Sequence, residues 1–156
     1  MIKGLRVDHR LLHGQVAVAW FNTVRANTIL IANDDVAANE MRKKIMRMAK
    51  PANGKLVMKS IDDSIQAINQ GVTDKYDMFV VVETIEDAYR LINETDVFKS
   101  LNLGGTRPTD ETRSISKTIN ITPEDEKLLD ELVDQGVEVE IRQLPSETKI
   151  IYKDVR

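Results

Sequence analysis

An open, mainly parallel β-sheet with helices on both faces and an antiparallel strand near its C-terminal edge is the α/β fold that this sequence predicts. Three features predict it. Short apolar runs rich in β-branched residues, such as TILIA and MFVVV, suit strands buried on both sides. Segments with apolar residues at helical spacing separate those runs. The resulting strand-then-helix unit recurs four times before residue 100, which favours parallel pairing through helical crossovers.

The first strand runs from Ile2 to Val7 and opens into the loop DHRLLHG. Val16, Ala17, Trp20, Phe21 and Val24 then share one face of a helix from about His13 to Arg25. NTILIAND is a buried strand ending in turn formers, and Asp34 or Asp35 caps a helix whose stripe includes Ala37, Met41, Ile45 and Met48. That helix stops before Pro51 and Gly54, and Met41, Met46, Met48 and Trp20 read as core or near-core packing. KLVMKS is the third strand; Ser60 with Asp63 resembles a capping box, and Ile61, Ile65 and Ile68 face one way up to Gly71. MFVVVE follows, with Thr84 and Asp87 repeating the capping pattern before Ala88, Leu91 and Ile92.

After Leu101 the rhythm changes. LNLGG is a short strand ending in Gly104-Gly105, TRPTDETRS a polar loop and ISKTINI an alternating strand. Thr122-Pro123-Glu124-Asp125 joins an N-cap, a proline in the first turn and early acids, so a helix runs from there to Gly136. Val137, Val139 and Ile141 alternate with charged residues in a half-exposed strand, and KIIYK supplies one more.

The chain of 156 residues, 42% hydrophobic and 30% charged, has the size and mixture of one compact domain over residues 1–156. A net charge of -3 without long Lys/Arg runs argues against nucleic acid as a partner. The absence of cysteine suits a reducing cytoplasm. The N-terminus has no apolar signal core, and no apolar run approaches the roughly 20 residues that span a membrane.

Both histidines of the chain, His9 and His13, stand in RVDHRLLHGQV. In open parallel sheets ligands bind beyond the carboxyl ends of the strands, where this loop lies. The helix after it begins with no Ser, Thr, Asp or Asn near its expected cap, so its first amides are available to an anion, and Gly14 lets a group approach the backbone. Neutral imidazole attacks phosphorus and passes the phosphoryl group on. Arg10 offers a two-donor fork for phosphate oxygens, and Asp8 can orient the arginine or an imidazole. Two other readings stand beside this one: a metal site of Asp8, His9 and His13, disfavoured because the i, i+4 pair falls in a loop without an HExxH context, and ordinary solvated side chains, Arg6 and Arg10 decorating the surface. Gly104-Gly105 reads equally as an ordinary turn or as space for a bound group or a neighbouring loop.

RVDHRLLHGQV resembles the signature around the phosphorylated histidine of the IIB subunits in the mannose/fructose/sorbose family of the bacterial sugar phosphotransferase system, and the order of elements extends the resemblance over essentially the whole chain. The resemblance implies an open parallel sheet, no metal or nucleotide cofactor, and a phosphotransferase that accepts a phosphoryl group on His13 from a IIA phosphodonor. It then passes the group to a sugar entering through the membrane subunits IIC and IID, from a cytoplasmic position at the inner face of the membrane. By the same resemblance Nδ1 of His13 carries the phosphate, Arg10 holds it, and Asp8 is an acid of the same loop; the helix start adds Gly14 and Gln15 as further phosphate-binding residues. Many members have Asp or Glu where this chain has His9, as in DDRLIHGQ. The competing function is a non-catalytic anion-binding or regulatory module using the same loop. A metal-dependent hydrolase using Asp8, His9 and His13 is the third.

Overall fold

The computed structural model describes residues 1–156. Strands β1 (Ile2–Asp8), β2 (Thr28–Ala32), β3 (Lys55–Lys59), β4 (Met78–Val82), β5 (Ser100–Gly105), β8 (Glu138–Ile141) and β9 (Ile150–Ile151) form one sheet in the order β3-β2-β4-β1-β5-β8-β9. All neighbours are parallel except the antiparallel edge pair β8–β9, as the sequence predicts.

Helices α1 (Gly14–Thr23), α2 (Asp34–Ala38) and α3 (Glu40–Met48) cover one face, where Ala17, Trp20, Phe21, Val36 and Met46 pack on Ile29, Ile31, Phe79 and Val81. Helices α4 (Ile61–Asn69), α5 (Ile85–Asn93) and α6 (Pro123–Asp134) cover the other, through Ile65, Leu91, Leu129 and Leu132 on Leu5, Val7, Leu30 and Val80. The period-two alternation of strands buried on both faces divides their side chains between the two cores.

The caps of the later helices form as the sequence predicts. Ser60 accepts from the Asp63 amide at 3.0 Å and Thr84 from Asp87 at 3.1 Å. Thr122 and Asp125 make a reciprocal capping box ahead of α6.

Three expectations need correction. The single helix capped by Asp34 or Asp35 is two helices: Asn33 caps α2, accepting from the Val36 amide at 2.9 Å. Asn39 then adopts an extended backbone and caps α3 through the Arg42 amide. Asparagine competes with the helix by offering its own side-chain acceptor, so it both ends one helix and starts the next. The break re-aims the stripe. Met46 is buried, whereas Met41, Ile45 and Met48 are exposed rather than core.

The alternating segment ISKTINI is not one strand. The two-residue strands β6 (Arg113–Ser114) and β7 (Asn120–Ile121) pair as a hairpin. The Ser116 hydroxyl accepts from the Ile119 amide at 3.1 Å, and the Ile115 amide donates to the Ile119 carbonyl at 2.9 Å. Ile119 and Ile121 still reach the core, so the alternation reflects burial on either side of a serine-bonded turn. KIIYK gives only the short β9 and a 3-10 turn at Tyr152–Asp154; Tyr152 is fully buried, its hydroxyl donating to Asp130 at 3.0 Å.

Candidate functional site

Strand β1 lies between β4 and β5, and the loop leaving its carboxyl end begins where connections pass to opposite sides of the sheet. On β1, Leu5 and Val7 point into the larger core. Arg6 and Asp8, in the opposite phase, point to the α1 face, where they meet Asn102 and Gly104 of β5. A polar cluster replaces the apolar layer there. Arg6 and Asp8 are 3% and 0% exposed, so the expectation of Arg6 as surface decoration is wrong.

The loop is wound tightly around Asp8. Oδ1 accepts from the Arg10 amide at 3.0 Å, and the Leu11 amide donates to the Asp8 carbonyl at 2.8 Å. Leu11 takes a left-handed backbone (φ 57°), a conformation that costs a non-glycine residue roughly 1–2 kcal/mol. Its side chain and that of Leu12 are buried under α1, which offsets the cost and moors the loop. His13 is extended and Gly14 (φ 48°) turns the chain into the helix.

Helix α1 has no side-chain cap and no acid in its first turn. Its first backbone bond runs from the Ala17 amide to the His13 carbonyl at 3.4 Å, so the amides of Gly14, Gln15 and Val16 precede the ladder and point out of the helix end. The helix start is therefore uncapped, as the sequence predicts, and free amides at the positive end of a helix dipole are the kind of group that favours an anion. Gly14 and Gln15 are exposed there.

The His13 imidazole stands at the same place. Its Nε2 lies 3.4 Å from Asp8 Oδ2, at the long end of hydrogen-bonding range, which leaves Nδ1 free. Arg10 is exposed, with its Nε 3.5 Å from Asp8 Oδ1. Asp8 therefore meets His13, Arg10 and Arg6 at once. Burial pushes the Asp8 carboxyl up, but the Arg10 amide and the charges of Arg6, His13 and Arg10 outweigh it, and the group ionises below the usual carboxylate range.

His9 turns the other way. Its Nδ1 lies 4.0 Å from Asp8 Oδ1, too far for a hydrogen bond, and has no partner. The side chain lines a cleft of about 330 Å³ with Glu83, Thr84, Arg107, Asn120 and Asp125. The 106–114 loop thus borders His9. The two imidazoles approach different oxygens of Asp8, and no three His, Asp or Glu side chains gather as a metal-holding group.

Sequence reasoning missed the roles of Arg6, Asn102 and the Arg142 carbonyl, and left Gly104 between a turn and open space. The available signal was phase: residues 6 and 8 stand on one side of β1, so an arginine two before a site aspartate shares its face.

The model of the PTS system sorbose subfamily IIB component matches residues 2–155. The fructose-specific EIIB component of Bacillus subtilis is 32% identical over 142 residues, covering 91% of this chain and 87% of that protein. The mannose-specific EIIAB component of Escherichia coli is 24% identical over 156 residues, covering 99% of this chain and 48% of that protein. Among solved structures, the IIBSor domain of the sorbose permease from Klebsiella pneumoniae superposes with a TM-score of 0.93 at 26% identity, covering 99% of this chain and 94% of that one.

Proposed function

Because the chain belongs to the sorbose-subfamily IIB components of the phosphotransferase system, we propose that it is a single-domain phosphocarrier whose His13 takes a phosphoryl group from a IIA donor and gives it to a sugar. The observation that carries this reading is His13 itself: one ring nitrogen is held by Asp8 and the other is free beside the open amides of α1.

In the first transfer Nδ1 of His13 forms a bond to phosphorus as the bond from phosphorus to the donor imidazole breaks, the electron pair staying on the donor nitrogen. In the second, a sugar hydroxyl oxygen bonds to phosphorus. The P–Nδ1 bond breaks, its pair returns to His13, and the hydroxyl proton passes to the freed imidazole. Such transfer asks for in-line positioning and for charge stabilisation on the equatorial oxygens. Arg10 and the amides of Gly14 and Gln15 supply the charge stabilisation; Asp8 orients the ring. No metal or nucleotide enters either step.

The donor class is supported by the EIIAB name of the mannose relative, which joins an A and a B part. The acceptor side is the IIC/IID membrane subunits. No helix here is long and apolar enough to cross a membrane; in this reading the domain meets those subunits at their cytoplasmic face.

Incubation with phosphorylated IIA tests the reading. Wild-type protein is expected to gain one acid-labile phosphoryl group per chain and His13→Ala none. Label retained by His13→Ala overturns the assignment, and stoichiometric phosphate binding without covalent label selects the anion-binding module instead. Arg10→Ala is expected to keep the fold, since the side chain is exposed, and to slow transfer on the order of 10²-fold. Unchanged transfer kinetics would remove Arg10 from the site.

A further inference from the structure

We infer that Arg6, seated in the space that Gly104 leaves open, is a positioning residue for His13. It fixes the Asp8 carboxylate so that Nε2 carries the ring proton and Nδ1 is left as the reacting nitrogen. This rests on the reading of His13 as the phosphoryl carrier.

Gly104 lies within β5 and has no positive φ, so no turn requires it to be glycine. Space does. A Cβ at this position would stand 2.0 Å from Cζ of Arg6 and 2.3 Å from each of its terminal nitrogens. The guanidinium occupies the place where a side chain at residue 104 would go. Gly105 is under no such constraint, its nearest side-chain neighbour being 3.5 Å away.

In that space the guanidinium is held from several sides. Nη1 donates to Asn102 Oδ1 at 2.6 Å and to the Arg142 carbonyl at 3.2 Å, and Asn102 Nδ2 donates to the same carbonyl at 3.0 Å. The Trp20 ring lies 5.4 Å from Cζ. Nη2 donates at 3.1 Å to Asp8 Oδ2, the oxygen that meets His13.

An ionised carboxylate only accepts, so the nitrogen of a neutral imidazole facing it must be the one bearing hydrogen. Fixing the carboxylate therefore fixes the tautomer, and the other nitrogen keeps its lone pair. Apolar residues at positions 6 and 102 would continue the core layer, and buried ion pairs give little net stability over such packing. The polar cluster therefore points to a role at the site. Arg6 is buried and bonded to Asp8, so its effect on His13 passes through that carboxylate.

The test compares wild type, Gly104→Ala, Arg6→Ala, the double variant and Asn102→Ala in two measurements: the ring-nitrogen NMR shifts of His13 in the unphosphorylated protein, and steady-state transfer from phosphorylated IIA. Wild type is expected to hold its proton on Nε2. Gly104→Ala and Arg6→Ala are expected to mix the tautomers and lower kcat on the order of 10²-fold with KM for the donor nearly unchanged. The double variant should be no worse than Arg6→Ala, because the added methyl then enters vacated space. Asn102→Ala adds no bulk and should move both readouts in the same direction by a smaller amount, which keeps the test decisive should a single variant fail to fold. Wild-type tautomer and kcat in folded Gly104→Ala or Asn102→Ala would overturn the proposal, as would a further additive loss in the double variant. Failure of the wild type to take label defeats the phosphocarrier reading, and the NMR arm still decides whether Arg6 sets the tautomer.

Discussion

Asp8→Ala is expected to lower stability by about 3–5 kcal/mol, because it leaves the Arg6 guanidinium buried without its counter-charge. Arg6 is 3% exposed and pairs with Asp8 at 3.1 Å, so water cannot readily replace the carboxylate. Asp8→Asn keeps the volume and an acceptor for the Arg10 amide but removes the charge, and should cost less. The two variants also differ from wild type in acid. Asp8 ionises below its ordinary value when folded, so its contribution is complete above the unfolded value of about 3.9 and is lost as pH falls through the lower folded value. Wild-type stability should therefore decline below about pH 4 with a component that Asp8→Asn lacks. Urea unfolding from pH 7 downward measures both effects. Equal midpoints for wild type and Asp8→Ala at pH 7 would show that Arg6 finds another partner, and parallel pH curves for wild type and Asp8→Asn would show that the carboxyl is not held ionised by folding. Transfer should fall as well, on the order of 10² or more, since the imidazole loses the group that sets its tautomer.

The same cluster shows which parts of the site were legible in the sequence. His13, Arg10, Asp8 and the uncapped helix start are neighbours in sequence, so local chemistry brought them out. Arg6 was present in the same stretch but read as surface, because burial of a charge depends on what lies opposite. The opposing residues come from β5 and from the chain after β8, 96 and 136 residues away. Gly104 is the sharper case. Its glycine answers a steric demand from Arg6 across two paired strands, which no local pattern encodes. The parallel sheet was legible because strands buried on both faces need apolar residues at nearly every position, as TILIA, whose one polar residue is Thr28, and MFVVV have. ISKTINI misled because alternation records which side chains are buried and not whether the backbone between them runs straight. In the helix expected after β2, the apolar spacing ran through Asn39, whose capping bond shifted the face by which α3 packs. His9 and His13 stand in one loop, and the left-handed turn at Leu11 sends them to different sides of Asp8.

Trp20→Ala should rival Asp8→Ala in its effect on stability and reach the site from the opposite side. Trp20 is 4% exposed, and its indole Nε1 donates to the Gln143 carbonyl at 2.8 Å, tying α1 to the segment after β8. The guanidinium carbons of Arg6 and Arg142 stand 5.4 and 5.0 Å from its ring. Truncation opens a cavity between the helix that starts at the proposed phosphoryl site and the Arg142 carbonyl that helps seat Arg6, at a cost of about 3–5 kcal/mol. Trp20→Phe retains most of the buried area but leaves the Gln143 carbonyl without its donor, a loss of about 1 kcal/mol or somewhat more. Met48→Ala provides the control: a residue 82% exposed on α3 should shift stability by no more than about 0.5 kcal/mol. Urea midpoints rank the three, with Trp20→Ala furthest from wild type and Met48→Ala nearest. If Trp20→Ala proved as mild as Met48→Ala, the indole would not be holding α1 to the sheet. If Trp20→Phe lost transfer activity while keeping near-native stability, the Gln143 bond would be acting on the seat of Arg6 rather than on the fold.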